Sequence, residues 1–126
     1  MARILIIEDT PANMKLAVVI LSTAGHELIQ AVTAREGLDA AKREKPDLIL
    51  MDMQLPDIDG IEATRILKAS SETAHIPVVA LTASAMKGDR ERMLQAGCDS
   101  YVEKPISYKD FLSEVNMVCN RSAGAA

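Results

Sequence analysis

Short apolar runs and longer amphipathic stretches alternate along this chain from one end to the other. The runs "RILII", "ELIQAV", "DLILM", "PVVALT" and "SYVE" have the length and β-branched content of strands. Helix starts are marked between them: Thr10 before Pro11, Thr33 with Glu36, Asp59 with Glu62, and Ser107 with Asp110. A short polar side chain at such a start can accept a free N–H of the first turn, and Pro fits the first helical position. Gly25 and Gly97 stand where helices are expected to stop. Met14, Val18 and Leu21, like Phe111, Val115 and Val118, recur at a helical period and should face a sheet.

Strict alternation of strands and helices, with strands apolar on both faces, implies a parallel sheet covered on both sides. The expected class is therefore α/β: a doubly wound, five-stranded parallel sheet with five helices, in the flavodoxin-like order 2-1-3-4-5. In that order strands 1 and 3 are neighbours and the winding reverses between them. Ligands bind at such a switch point, beyond the carboxyl ends of the strands.

Composition narrows the function classes. The 126 residues, 48% of them apolar, suffice for one core and leave no room for a second domain. With 14 Lys plus Arg against 18 Asp plus Glu, the net charge is -4. No basic block stands out for a nucleic acid backbone, so no direct nucleic acid contact is expected. The apolar stretches fall far short of the ~20 residues that span a bilayer, and "MARILIIED" lacks a signal-peptide core; a soluble, cytoplasmic protein with no membrane partner is expected. Cys98 and Cys119 lack metal or redox spacing, and the lone His26 and His75 are assigned no chemistry.

The strand tips carry the chemistry. Strand 1 ends in Glu8-Asp9, strand 3 in Asp52, strand 4 in Thr82 and strand 5 in Lys104-Pro105. The expected order crowds Glu8, Asp9 and Asp52 into one crevice, flanked by a hydroxyl and an ammonium. Singly, each has a plainer reading: a turn or cap acid, a β-branched strand residue, a solvated lysine. Their convergence on one sheet edge favours a shared role. Close carboxylates repel one another, and a divalent cation relieves that repulsion. An all-oxygen set suits Mg²⁺, whereas zinc would want His or Cys. An aspartate beside a metal and an ammonium can attack phosphorus and become an aspartyl phosphate. The Thr82 hydroxyl can donate a hydrogen bond to a phosphoryl oxygen.

"ILIIEDTPANM", "PDLILMDMQLPDIDGIE", "IPVVALTAS" and "YVEKPIS" together make the whole chain resemble the receiver domains of two-component response regulators. Among these it looks most like the single-domain CheY and DivK type, with a receiver over 1–121 and a flexible tail over 122–126. The resemblance implies that Asp52 takes a phosphoryl group from a sensor histidine kinase or histidine phosphotransfer protein. It implies that Glu8, Asp9, Asp52 and the main-chain carbonyl of Met53 hold Mg²⁺, and that Lys104 pairs with Asp52. Thr82 would be the switch hydroxyl, Tyr101 the switch aromatic, and Pro105 the residue after a cis bond. Ala83 would leave room for phosphoryl access, while Gln54 and Ser84 would line the path of the attacking water. The readout would pass to a downstream protein through helix 4, strand 5 and helix 5, a face decorated by charges such as Lys87, Arg90, Glu91, Glu103 and Lys109.

Three other classes compete. An aspartate-nucleophile phosphatase would want a second acid two residues after Asp52, where Gln54 stands. A flavin carrier would want a Gly-rich phosphate loop after strand 1, where "EDTPANM" is acidic. A receiver-like interaction module that is never phosphorylated would have no need of the intact set of Glu8, Asp9, Asp52, Thr82 and Lys104.

Overall fold

The computed structural model describes residues 2–124, with side chains through 120. Five strands, β1 (Arg3–Ile7), β2 (Glu27–Ala31), β3 (Leu48–Asp52), β4 (Val78–Thr82) and β5 (Ser100–Glu103), alternate with α1 (Pro11–Thr23), α2 (Ala34–Glu44), α3 (Gly60–Ala69), α4 (Lys87–Ala96) and α5 (Tyr108–Gly124). All strand pairs are parallel and the order is β2-β1-β3-β4-β5, the arrangement expected from the alternation. The segment expected as a tail begins inside α5, and its last two residues lie outside the described residues.

The period-two rule divides the core. Ile4, Ile6, Leu48, Leu50, Val79 and Leu81 point to one face, where α1 and α5 bring Met14, Ala17, Leu21, Phe111, Val115 and Val118. Leu5, Ile7, Ile49, Met51, Val78 and Ala80 point to the other, against α2, α3 and α4. Phe111, Val115 and Val118 form the predicted stripe; in α1, Val18 is only half-buried, and Ala17 and Ile20 share its inner face. Gly37 lets α2 lie close on β1, since a Cβ there would come 2.3 Å from Ile7 Cδ1.

Strand ends differ from the expectation by a residue. β3 starts one residue after Asp47, whose carboxylate accepts the Arg3 N–H at 2.8 Å, and ends at Asp52 as expected. β2 stops at Ala31, leaving Val32 exposed.

The capping signals are met in part. Thr33 accepts the Glu36 N–H at 3.1 Å, and Asp59 accepts the Ile61 N–H at 2.8 Å. Glu36 reaches back to Val32 N rather than to Thr33, and Glu62 turns to Arg65 instead of closing a box. Thr10 makes no side-chain cap; Pro11 alone marks the start of α1. Gly25 (φ 90°) and Gly97 (φ 111°) adopt the left-handed conformation after α1 and α4. His26 Nδ1 accepts the Ala2 N–H, and both cysteines are free thiols.

Candidate functional site at the carboxyl edge of the sheet

Register brings the strand tips level. Ile7 pairs with Met51, Asp52 with Leu81, and Thr82 with Glu103, so Glu8, Asp52, Thr82 and Lys104 emerge along one rim. Oxygens of Glu8, Asp9 and Asp52 lie within 4.8 Å of one another. Glu8 and Asp52 are buried, and Asp9 is the least buried of the three. Lys104 Nζ sits 2.9 Å from Glu8 Oε1 and 3.0 Å from Asp52 Oδ1.

Burial pushes the Asp52 carboxyl above its ordinary range, and neighbouring Glu8 pushes it further; the Gln54 N–H, 3.1 Å away, and Lys104 pull the other way without overcoming the rise. Burial alone would lower the Lys104 pKa, but Glu8 and Asp52 together hold it above normal. One ammonium thus pairs with two of the three clustered carboxylates. Glu8 Oε2 accepts the Thr10 N–H, whereas buried Oε1, although close to Lys104, receives no aligned hydrogen bond. An excess of negative charge and a buried oxygen without a directed donor fit a hard cation with oxygen ligands.

The other expected residues stand in different relations to this cluster. Gln54 is exposed, and its contact with Asp52 is through the main chain. The Met53 carbonyl accepts the Gly60 N–H at 3.3 Å, which commits one of its lone pairs to the start of α3. Thr82 is buried but does not bond Asp52: its hydroxyl donates to the Ser84 carbonyl at 2.7 Å and accepts the Ser84 N–H at 3.1 Å. Ala83 is exposed. Tyr101 is half-buried against the core cluster under α2, α3 and α4. The Lys104–Pro105 bond is cis, as expected.

Two acids here have roles that spacing does not reveal. Asp57 accepts Ala34 N and Arg35 N at 2.9 Å each and so caps α2 from across the fold. Those donors, Arg35 first and Ala34 next, hold its carboxyl below the ordinary range against the opposing effect of desolvation. Asp89 accepts the Ser84 hydroxyl at 2.6 Å. A capping box ending at residue 89 would need its hydroxyl at 86, where Met86 stands, so Ser84 lies out of frame.

Fold and site together define a class of protein, and comparison with known sequences agrees with it. Residues 4–116 match the response regulator receiver domain family, and the chain belongs to that family. It is a receiver domain of two-component signalling. It is 47% identical over 112 residues to the polar-differentiation response regulator DivK of Brucella anthropi, covering 89% of this chain and 91% of that protein. The receiver domain of a sensor histidine kinase from Pseudomonas aeruginosa, described with a magnesium ion coordinated in its active-site cleft, superposes with TM-score 0.84 at 35% identity, covering 98% of both chains. A CheY-like receiver domain protein from Methanospirillum hungatei gives TM-score 0.90 at 30% identity, over 100% of this chain and 99% of that one. Among the described residues no helix is long and apolar enough to cross a membrane.

Proposed function

We propose that the protein is a phosphorylation-dependent switch in which Asp52 accepts a phosphoryl group from a phosphohistidine on a sensor kinase or phosphotransfer protein. The observation that carries this reading is the placement of Lys104 between Glu8 and Asp52, with Asp9 beside them at the sheet edge. Asp52 attacks phosphorus through a carboxylate oxygen, the bond to the donor imidazole breaks, and the histidine leaves with the electron pair. Lys104 stabilises the charge gathering on the phosphoryl oxygens. Glu8, Asp9 and Asp52 would hold Mg²⁺. Met53 was the expected main-chain contributor, and a lone pair of its carbonyl beyond the one facing Gly60 would have to serve. The ion, when bound, supplies positive charge that neutralises the incoming phosphate. Its presence in the cleft of the Pseudomonas aeruginosa relative supports the assignment.

Thr82 then leaves Ser84 and donates to the phosphoryl oxygen, with Ala83 beside it leaving access. Tyr101 fills the space behind, and the new arrangement is read through α4, β5 and α5. Lys87, Arg90, Glu91, Glu103 and Lys109 are exposed on those elements and their margins, available to a protein partner. Gln54 and Ser84 border the route of the water that ends the signal. The chain turns over no substrate beyond its own phosphoryl transfer and slow dephosphorylation, and it works in the cytoplasm.

The test is incubation with Mg²⁺ and acetyl phosphate, followed by intact mass. A single base-labile phosphoryl adduct that Asp52→Asn abolishes is the expected result. No adduct in wild-type protein would overturn the reading, and rapid repeated hydrolysis of an aryl phosphate would favour a phosphatase.

A further inference from the structure

We propose that Asp89 is a positioning residue: acting through Ser84, it latches Thr82 away from Asp52 and so sets the resting state of the switch. This rests on the reading of Thr82 as the switch hydroxyl, and it deepens that reading by naming what opposes the movement.

The argument begins with the single proton of a threonine hydroxyl. Thr82 spends it on the Ser84 carbonyl at 2.7 Å, and the Ser84 N–H returns a bond to the same oxygen at 3.1 Å. A hydroxyl so engaged has nothing left to donate, so it must break from Ser84 before it can serve a phosphoryl oxygen. Ser84 is itself restrained. Its hydroxyl donates to Asp89 Oδ2 at 2.6 Å, a short bond to a charged acceptor and hence of the stronger kind. Asp89 stands in the first turn of α4, so the chain of bonds runs from the tip of β4 into a helix of the proposed readout face. The first two links share the Thr82 hydroxyl oxygen, and the third joins them through Ser84, whose main chain meets Thr82 while its side chain meets Asp89.

The relay borders open space. A cavity of about 210 Å³ separates Met53, Gln54 and Asp59 on the β3–α3 side from Thr82, Ser84 and Asp89 on the other. The loop after β4 can therefore cross toward Asp52 when the latch releases, without first displacing packed core. α4 also lacks a side-chain cap at Met86, which leaves the first helical turn dependent on few contacts. A signal that pulls Thr82 inward thereby pulls on Ser84 and loosens Asp89.

The test uses Ser84→Ala, Asp89→Ala and the double variant in the full chain. Ser84→Ala keeps the main-chain groups that meet Thr82 and removes only the hydroxyl. Backbone amide NMR shifts of Thr82, Ser84 and Tyr101 are recorded without phosphodonor and placed on the line between the unphosphorylated and acetyl phosphate-treated wild-type protein. Each single variant should move along that line, with the active-to-inactive ratio raised roughly tenfold, the size of one charge-assisted hydrogen bond. Phosphorylation by acetyl phosphate should quicken in step. The double variant should resemble the singles, because both break the same link. A thermal melt confirms that the variants fold. Shifts that stay at the resting position, or effects that simply add, would overturn the latch while wild-type phosphorylation leaves the proposed function standing. Absence of any wild-type adduct would instead overturn the function.

Discussion

Lys104 and Asp52 meet at 3.0 Å although their strands are not neighbours: β4 lies between β3 and β5, and the lysine reaches across it. Two inter-strand spacings amount to about 9.6 Å, a span that a lysine stem launched from the tip of β5 can cover only by lying over the end of β4. Lys104 N is tied to Thr82 O at 2.7 Å, which fixes where that stem begins.

Removal of this lysine should be costly. Lys104→Met leaves buried Glu8 and Asp52 facing each other with no cation, and breaking a pair of this kind costs about 3 kcal/mol. Urea unfolding at neutral pH without divalent ions measures the loss, and it should shrink on acidification as Asp52 takes up its proton. Asp52→Asn should go the other way and raise stability by about 1 kcal/mol, because a repelled, desolvated charge disappears while Lys104 keeps Glu8.

The pH dependence follows from the same groups. The raised pKa of Asp52 means the folded state holds its proton more tightly, so that group's contribution to stability falls as pH climbs from 3.8 through its higher folded value. Asp57 acts oppositely: its contribution is present above 3.8 and is lost as pH falls through its lowered folded value. Lys104 contributes fully below 10.5 and loses that contribution as pH rises through its raised value. Unfolding curves across the acid range for wild type, Asp52→Asn and Asp57→Asn should therefore separate with opposite slopes.

Added Mg²⁺ should stabilise the fold by mass action, by about 2.7 kcal/mol at a hundredfold excess over its dissociation constant. Asp9→Asn should weaken that gain strongly, and a chelator should reverse it. The ion should also flatten the acid-range slope due to Asp52, since a bound cation favours the charged carboxylate. Thermal shift with and without EDTA measures both effects.

Two glycines should respond unequally to alanine. A Cβ at Gly60 would fall 2.5 Å from the Asp52 carbonyl oxygen and 2.6 Å from Met53 Cα, so main chain at Asp52 and Met53 must move. At Gly37 the added Cβ meets only side-chain atoms, Ile7 Cδ1 at 2.3 Å and Cγ1 at 2.6 Å, so the buried Ile7 side chain must shift while the main chain beside Asp52 does not. Gly60→Ala should cost about 3 kcal/mol and slow phosphorylation by acetyl phosphate, whereas Gly37→Ala should cost about 2 kcal/mol by overpacking Ile7 and spare it.

Much of this site is legible from spacing because a parallel sheet delivers every strand tip to the same edge. Glu8, Asp9, Asp52 and Lys104 needed only the strand order to be brought together. What escapes the one-dimensional reading depends on partners far along the chain or out of a known frame. Asp57 looks like one more turn acid, yet its partners are 22 and 23 residues away. The orientation of Thr82 is a choice among rotamers, decided by Ser84, and no pattern of residue types encodes it. Met53 looks free to turn its carbonyl to a metal until the Gly60 N–H is seen to face it.

The Asp57 bridge also bears on how the molecule breathes. One carboxylate joins the first turn of α2 to the loop that follows β3, so opening either segment breaks two hydrogen bonds of the other. Amides from 34–35 and from 53–59 should therefore exchange with deuterium as a single cooperative unit, and Asp57→Ala should split that unit into two. The loop that follows Asp52 is thereby tied to the first turn of a helix from another part of the chain.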